Sequence, residues 1–315
     1  MTSSVTPRET GAVSVSIGIC AYNEERGISA ALESVLSQRL SGPFSLDEVI
    51  VVASGCTDRT ESIVNEWSAR EPRVLLVHQI ERMGKARAWN AMFRRAKGEI
   101  VVSMNADAVL MPDSLQHLLG PFESSAELQI ACGSPTPSNA VDGISGMLTR
   151  LQWRLHNRTL LMLSSRGMPN HCCDELVALR RGFINELPPD LINDGAYLGV
   201  IAASRHSFVS FCESARVVVD PPRSLRGFLM QRRRILRGHR QVLELCEQSP
   251  YTLEWLVRTR PDLAVRIVLG ESRSRPSSAL TLLLLLLPLE SVALFGASLD
   301  RLRGRSYEPA WTPVN

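Results

Sequence analysis

Val13-Ser-Val-Ser-Ile-Gly-Ile-Cys20 runs straight into Ala21-Tyr22-Asn23-Glu24-Glu25, and the fold is read outward from this junction. The first eight residues are apolar and β-branched, as a buried strand requires, and the next five form a polar turn. Ile28, Ala31, Leu32, Val35 and Leu36 then recur at helical spacing. The pattern repeats. Glu48-Val-Ile-Val-Val52 predicts a second strand, Ala53-Ser-Gly-Cys-Thr-Asp58 a turn, and Ile63, Val64 and Trp67 the face of a helix. Residues 73–78 predict a third strand, 85–96 a helix and 99–104 a fourth strand. Strands alternating with helices at these intervals mean βαβ units and a largely parallel sheet. Ligands of such sheets sit outside the carboxyl ends of the strands. Three polar clusters fall there: residues 22–25, 54–58 and 105–107.

The remaining arithmetic excludes several classes. With 315 residues, 44% hydrophobic and 21% charged, the chain can bury one large core or two ordinary ones. The formal charge of +3 gives no electrostatic reason to expect a nucleic-acid partner. Lys85 and Lys97 are the only lysines among 35 basic residues. The seven cysteines, including the adjacent Cys172 and Cys173, match no zinc spacing. The polar N-terminus carries no secretory signal, so reduced thiols on the cytosolic side are expected. No Gly-x-Gly-x-x-Gly follows the first strand, which argues against a dinucleotide enzyme, and no Gly-rich basic loop marks a nucleotidyltransferase. Pro135, Pro137 and Gly143 predict loops, residues 147–163 a helix and 176–181 a short strand.

Six motifs stand in a telling order: Ala21-Tyr-Asn-Glu24, Ser54-Gly-Cys-Thr-Asp-Arg-Thr60, Gly84-Lys85-Ala-Arg-Ala-Trp-Asn90, Asn105-Ala106-Asp107, Asn193-Asp194 and Gln231-Arg-Arg-Arg234. Over residues 13–240 the chain resembles the family 2 glycosyltransferases of the GT-A fold. The resemblance implies an α/β protein with a Rossmann-like, largely parallel sheet flanked by helices. It also implies a division into a tail (1–12), a glycosyltransferase domain (13–240, its nucleotide-sugar half ending near 110) and a helical C-terminal extension (241–315). The implied activity is inverting transfer of a sugar from a nucleotide diphosphate sugar, a UDP-sugar, to an acceptor hydroxyl.

By the same resemblance Ala21, Tyr22, Glu24, Ser54, Lys85, Asn105 and Ala106 would bind the nucleotide. Asp107 would hold Mg²⁺ or Mn²⁺, hard cations that take carboxylate and phosphate oxygens. The family's DxD has Asn105 at its first position here. Asp58 is read as structural, capping the helix after it. Asp194, second of the family's Glu-Asp pair, would be the general base, presented sharply on a loop before Gly195; Asn193 replaces the Glu. Asp174 and Glu175 compete for that role and could line the acceptor site. Gln231 and Arg234, at i and i+3, share a helix face and would meet the pyrophosphate or the acceptor; Ile235 replaces the family's Trp.

Residues 279–299 contain the run Leu282–Leu287 and approach the ~20 residues needed to cross a bilayer. Pro288 and Glu290 interrupt them, and Arg273, Arg275, Arg301, Arg303 and Arg305 flank them, with Trp311 beyond. A segment lying in the interface, a shallow hairpin and a buried core helix all fit. The expected partners are a nucleotide-sugar donor, an acceptor glycan or glycolipid, and the membrane surface. The expected place is the cytoplasmic face of a membrane, reached peripherally or through residues 279–299. The alternative is a catalytically weak or idle nucleotide-sugar binding partner of a membrane complex.

Overall fold

The computed structural model describes residues 12–138 and 143–302. The tail expected over 1–12 falls outside them except for Ala12, as do Arg303, Arg305 and Trp311.

β1 (Val13–Ala21), α1 (Ile28–Leu36), β2 (Phe44–Ser54), α2 (Thr60–Arg70), β3 (Val74–Gln79), α3 (Lys85–Arg95) and β4 (Ile100–Asn105) alternate as expected. β1 lies parallel between β2 and β4, and β3 lies parallel on the outside of β2. The alternation of side chains along each strand explains the layers. Val49 and Val51 pack with Ile17, Ile19, Leu32 and Val35 on one face. Ile50 and Val52 pack with Trp89 and Met92 of α3 on the other. A strand buried on both faces reads as an apolar run, which is why the second half of β2 and the start of β4 stand out in the sequence. Trp89 is fully buried; truncating such a side chain to Ala costs about 3–5 kcal/mol.

Beyond β4 the chain continues through β5 (Ala108–Leu110), α4 (Ser114–Ser124), β6 (Ile130–Pro137), α5 (Gly143–Ser164), β7 (Leu176–Arg180), α6 (Asp194–Ser204) and β8 (Val209–Val219). The eight-stranded sheet has the order β3-β2-β1-β4-β7-β6-β8-β5. β7 is antiparallel to both β4 and β6, and β6 is parallel to β8. Pro135 and Pro137 belong to strand β6, not to the expected loop. β7 pairs only with Ile130, Ala131 and Cys132 of that strand. The proline end therefore has β8 on one side alone, where a missing N–H is tolerated.

The extension is helical: α7 (Leu225–Cys246), α8 (Leu253–Thr259), α9 (Pro261–Ser274), α10 (Pro276–Thr281), a π-helical turn (Leu282–Leu286) and α11 (Leu287–Leu302). Pro288 does not interrupt the apolar segment, which is helical from Pro276 to Asp300. A proline ring collides with the carbonyl four residues back in a regular α-helix. The wider π turn immediately before Pro288 relieves that clash. α11 packs on α7 and α9 packs on α5.

Candidate active site

The carboxyl ends of β1, β2 and β4, the start of α3 and the start of α6 open into one cavity of about 760 Å³. Its wall includes every residue expected to bind the donor, the metal or the acceptor: Ala21, Tyr22, Glu24, Ser54, Lys85, Asn105, Ala106, Asp107, Asp174, Glu175, Asp194, Gln231 and Arg234.

The first two loops are tied to each other. Thr57 N–H donates to Asn23 Oδ1 at 2.8 Å, Glu25 N–H donates to Asp58 Oδ2 at 3.0 Å, and Glu24 N–H donates to Thr60 Oγ1 at 2.8 Å. Asp58 Oδ1 also accepts from Thr60 N–H at 3.0 Å, so Asp58 is structural, as expected. Ser54 Oγ accepts from Met83 N–H at 3.2 Å and fastens β2 to the segment before α3. That segment carries Arg82, whose guanidinium lies 3.7 Å from the centre of the Tyr22 ring. Gly84, at φ 87°, makes the left-handed turn that starts α3 at Lys85.

Lys85 is the centre of charge. Its Nζ lies 3.0 Å from Asp174 Oδ2 and 3.0 Å from Asp194 Oδ2. Burial opposes its charge, but the carboxylates of Asp174, Asp194 and Glu175 outweigh burial and raise its pKa. The ammonium thus joins two carboxylates on the wall of the cavity. Burial also works against ionisation of Asp174, yet Lys85 and the hydrogen bonds from Asp194 and Lys85 hold it well below the usual carboxylate range. Asp194 goes the other way. Burial first, and then Asp174, push it up to about 7.

Asp194 is the first residue of α6 rather than a loop residue. Asn193 is the N-cap, its Oδ1 accepting from Ala196 N–H at 2.8 Å. An amide serves this purpose as well as a carboxylate does, which accounts for Asn at this position. Gly195 is required by closeness: a Cβ there would stand 2.2 Å from Cys172 O. This contact sets the start of α6 against the loop that carries Asp174.

Asn105, at the end of β4, donates its amide to the Glu175 carboxylate, which leaves its amide oxygen for another partner. Burial, then Asp174 and Asp107, raise Glu175 to about 8. Burial, then Asp107 and Asp58, raise Glu24 to about 8. Asp107 lines the cavity as an exposed residue, and desolvation by the groups crowded around its carboxyl raises its pKa too. Among the described residues, no three His, Cys, Asp or Glu side chains converge on a metal position. The donor set is thus one free carboxylate, an amide oxygen and an excess of negative charge nearby. It suits a hard divalent cation completed by phosphate oxygens.

On α7, Gln231, Arg232, Arg234 and Ile235 reach the cavity. Arg234 Nε is buried without a hydrogen-bond partner among the described residues. Arg232 turns to α11 and α8: Nε donates to Glu290 Oε1 at 2.5 Å, and a terminal nitrogen donates to Glu254 Oε1 at 3.1 Å. Arg233 pairs with Asp300. The sequence reading missed Arg82, Glu254, and the histidines His156, His171 and His239 of the same wall. Arg82 carried a legible signal, lying between the third strand and Gly84. The others are brought together only by the packing of helices distant in sequence.

The model of the family described as "Glycosyl transferase family 2" matches residues 16–187, more than half of the chain. The match ends before Asp194. An N-acetylglucosaminyltransferase from Mesorhizobium japonicum is 28% identical over 245 residues, 71% of this chain and 55% of the relative. An uncharacterized glycosyltransferase from Nostoc sp. is 32% identical over 111 residues, 35% of this chain and 33% of the relative. The chain thus spans about half or less of these curated relatives. Among solved structures, a mannosyltransferase from Pyrobaculum calidifontis in complex with GDP-Man and Mn²⁺ superposes with a TM-score of 0.62, at 21% identity, over 93% of this chain and 88% of that one. Glucosyl-3-phosphoglycerate synthase from Mycobacterium tuberculosis, in complex with Mn²⁺, UDP and glucosyl-3-phosphoglycerate, gives 0.51 at 21% identity over 74% of this chain and 80% of that one. These likenesses establish the GT-A fold.

Proposed function

Because the chain belongs to glycosyl transferase family 2, we propose that it acts on nucleotide sugars and transfers a sugar from a UDP-sugar, with inversion, to the hydroxyl of a lipid-linked or membrane-proximal acceptor. UDP is the nucleotide of one solved neighbour with Mn²⁺, while another neighbour holds GDP-Man with Mn²⁺. The observation that carries the reading is the Asp174–Lys85–Asp194 cluster, which faces the same cavity as the three nucleotide loops.

The roles follow from the environments. Two carboxyls whose environments push their pKa values apart divide acid–base work between them. Asp174 stays ionised against Lys85 and holds the ammonium in place. Asp194, near the midpoint of its titration at neutral pH, takes the proton of the acceptor hydroxyl. The acceptor oxygen forms its bond to the anomeric carbon as the bond from that carbon to the phosphate oxygen breaks, and attack from the opposite side inverts the centre. Tyr22, Ser54 and Arg82 wall the nucleotide end of the cavity, and the Arg234 guanidinium on the same wall meets the developing pyrophosphate charge. Asp107 and the amide oxygen of Asn105 would hold Mg²⁺ or Mn²⁺, which when bound neutralises the leaving pyrophosphate as a Lewis acid.

The membrane part rests on α10–α11. Leu280 and Leu284 are each 62% exposed and Phe295 is 67% exposed on a helix long and apolar enough to cross a bilayer. A place at the cytoplasmic face, with this helix in or on the lipid, brings the cavity to a lipid-linked hydroxyl. Asp194→Asn tests the chemistry. Transfer should fall by about 10²-fold or more with donor affinity nearly intact, as removal of a general base does. An equal loss of donor affinity makes Asp194 a binding residue instead, and a selective rate loss in Asp174→Asn gives the base role to Asp174.

A further inference from the structure

The cavity wall also carries residues that belong neither to the donor loops nor to the carboxylate cluster. There, three histidines from three separate segments form a row. His156 comes from α5, His171 from the loop before β7, and His239 from α7. The Trp153 and His156 ring centres lie 5.3 Å apart, His156 and His171 5.4 Å, and His171 and His239 5.8 Å, each pair edge to face. The rings do not converge as metal ligands. His156 Nε2 and His171 Nδ1 are buried with no hydrogen-bond partner among the described residues, and His171 is only 6% exposed. Buried polar atoms are almost always satisfied, so unpaired nitrogens on two rings that line the cavity point to a ligand drawn up against the row.

The surroundings narrow its chemistry. Burial pulls all three rings far below the ordinary histidine range, His171 to about 4, so at neutral pH each offers one donor and one acceptor and no charge. The cation beside the row, Arg232, is already held by Glu290 and Glu254. Arg258 stands at the exposed rim. The lining also includes an aliphatic stretch, Leu282, Leu286, Leu287 and Leu294 of the C-terminal helix. Neutral imidazoles beside an aliphatic wall match hydroxyl groups attached to a hydrocarbon chain, and match a free anionic group poorly.

We propose that the His156–His171–His239 row is the acceptor subsite, and that it takes the hydroxyls of an uncharged amphiphile whose chain lies along Leu282, Leu286, Leu287 and Leu294. This rests on the transferase reading of the cavity and names the acceptor class for it. The row sets which acceptor enters, while Asp194 acts on its hydroxyl.

The test titrates the full chain with n-octyl β-D-glucopyranoside below its micelle concentration, with n-octyl phosphate as the anionic probe of equal chain length. Saturable binding of the glucoside is expected, at least tenfold tighter than that of the phosphate. His171→Phe, which keeps the aromatic edge-to-face packing and removes the nitrogens, should weaken glucoside binding at least tenfold. His171→Gln, which keeps a donor and an acceptor, should restore most of it. His156→Phe gives the same reading independently if His171→Phe unfolds. Equal binding of the glucoside by the Phe variants, absence of saturable binding, or tighter binding of the phosphate overturns the proposal. UDP with Mn²⁺ is titrated separately. Failure of UDP to bind while the glucoside result holds contradicts the donor reading and leaves the subsite standing.

Discussion

At the scale of single residues, the account turns on one ammonium shared by two aspartates. The base must be unprotonated to work, and burial and Asp174 hold Asp194 near a pKa of about 7. Turnover should therefore rise as pH increases through about 7 and level off above it. Lys85 lowers the pKa of Asp194, so Lys85→Gln should move that rising limb to higher pH. A pH–rate profile whose limb stays in place in Lys85→Gln contradicts the pairing. Asp107→Ala should abolish the Mn²⁺-dependent part of nucleoside diphosphate binding, read by calorimetry with and without the metal; unchanged metal dependence removes Asp107 from the site. Asn105→Asp replaces the amide donor to Glu175 with a second carboxylate. It should lower thermal stability without metal and keep or strengthen binding of the donor with metal. The Asn residues at 105 and 193 do not favour an idle protein, since one holds Glu175 and the other caps α6.

At the scale of elements, the consecutive arginines of α7 divide their work. Arg234 faces the cavity, while Arg232 and Arg233 fasten α11 through Glu290 and Asp300. Glu290, which the sequence placed as an interruption of the apolar segment, thus has a charged partner inside the protein. Glu290→Gln should destabilise the fold by about 1.5–3 kcal/mol, the range for hydrogen bonds to charged groups, and expose α11 to limited proteolysis. An unchanged melting temperature contradicts this fastening. Truncation after Ser274 removes both acidic partners together with the aliphatic wall of the cavity.

The same elements mark what the sequence made legible. β1, β2 and β4 could be read because each is largely buried on two faces, β3, an edge strand with only Val74 buried, because residues 74–77 are a local apolar run, and the strand-end clusters because a parallel sheet places ligands there. Strand β6 could not, because Pro135 and Pro137 suit a strand only where one side is open. Lys85 and Asp174 are 89 residues apart, and Arg232 and Glu290 are 58 apart. No periodicity encodes such pairs. The histidine row likewise exists only after α5, α7 and the loop before β7 have packed.

At the scale of the whole molecule, one cavity joins the nucleotide loops to an aliphatic helix whose outer face is bare. Full-length protein should co-sediment with anionic vesicles at low salt; protein that stays in the supernatant makes α10–α11 an interface with another chain rather than with lipid. The central claim is that the cavity holds a nucleotide sugar beside a working base. Release of nucleoside diphosphate across the common nucleotide sugars, with and without Mn²⁺, tests it most directly. The account predicts Mn²⁺-dependent release from at least one UDP-sugar, lost in Asp107→Ala. Absence of release from every donor, together with no thermal shift from any of them, would contradict it.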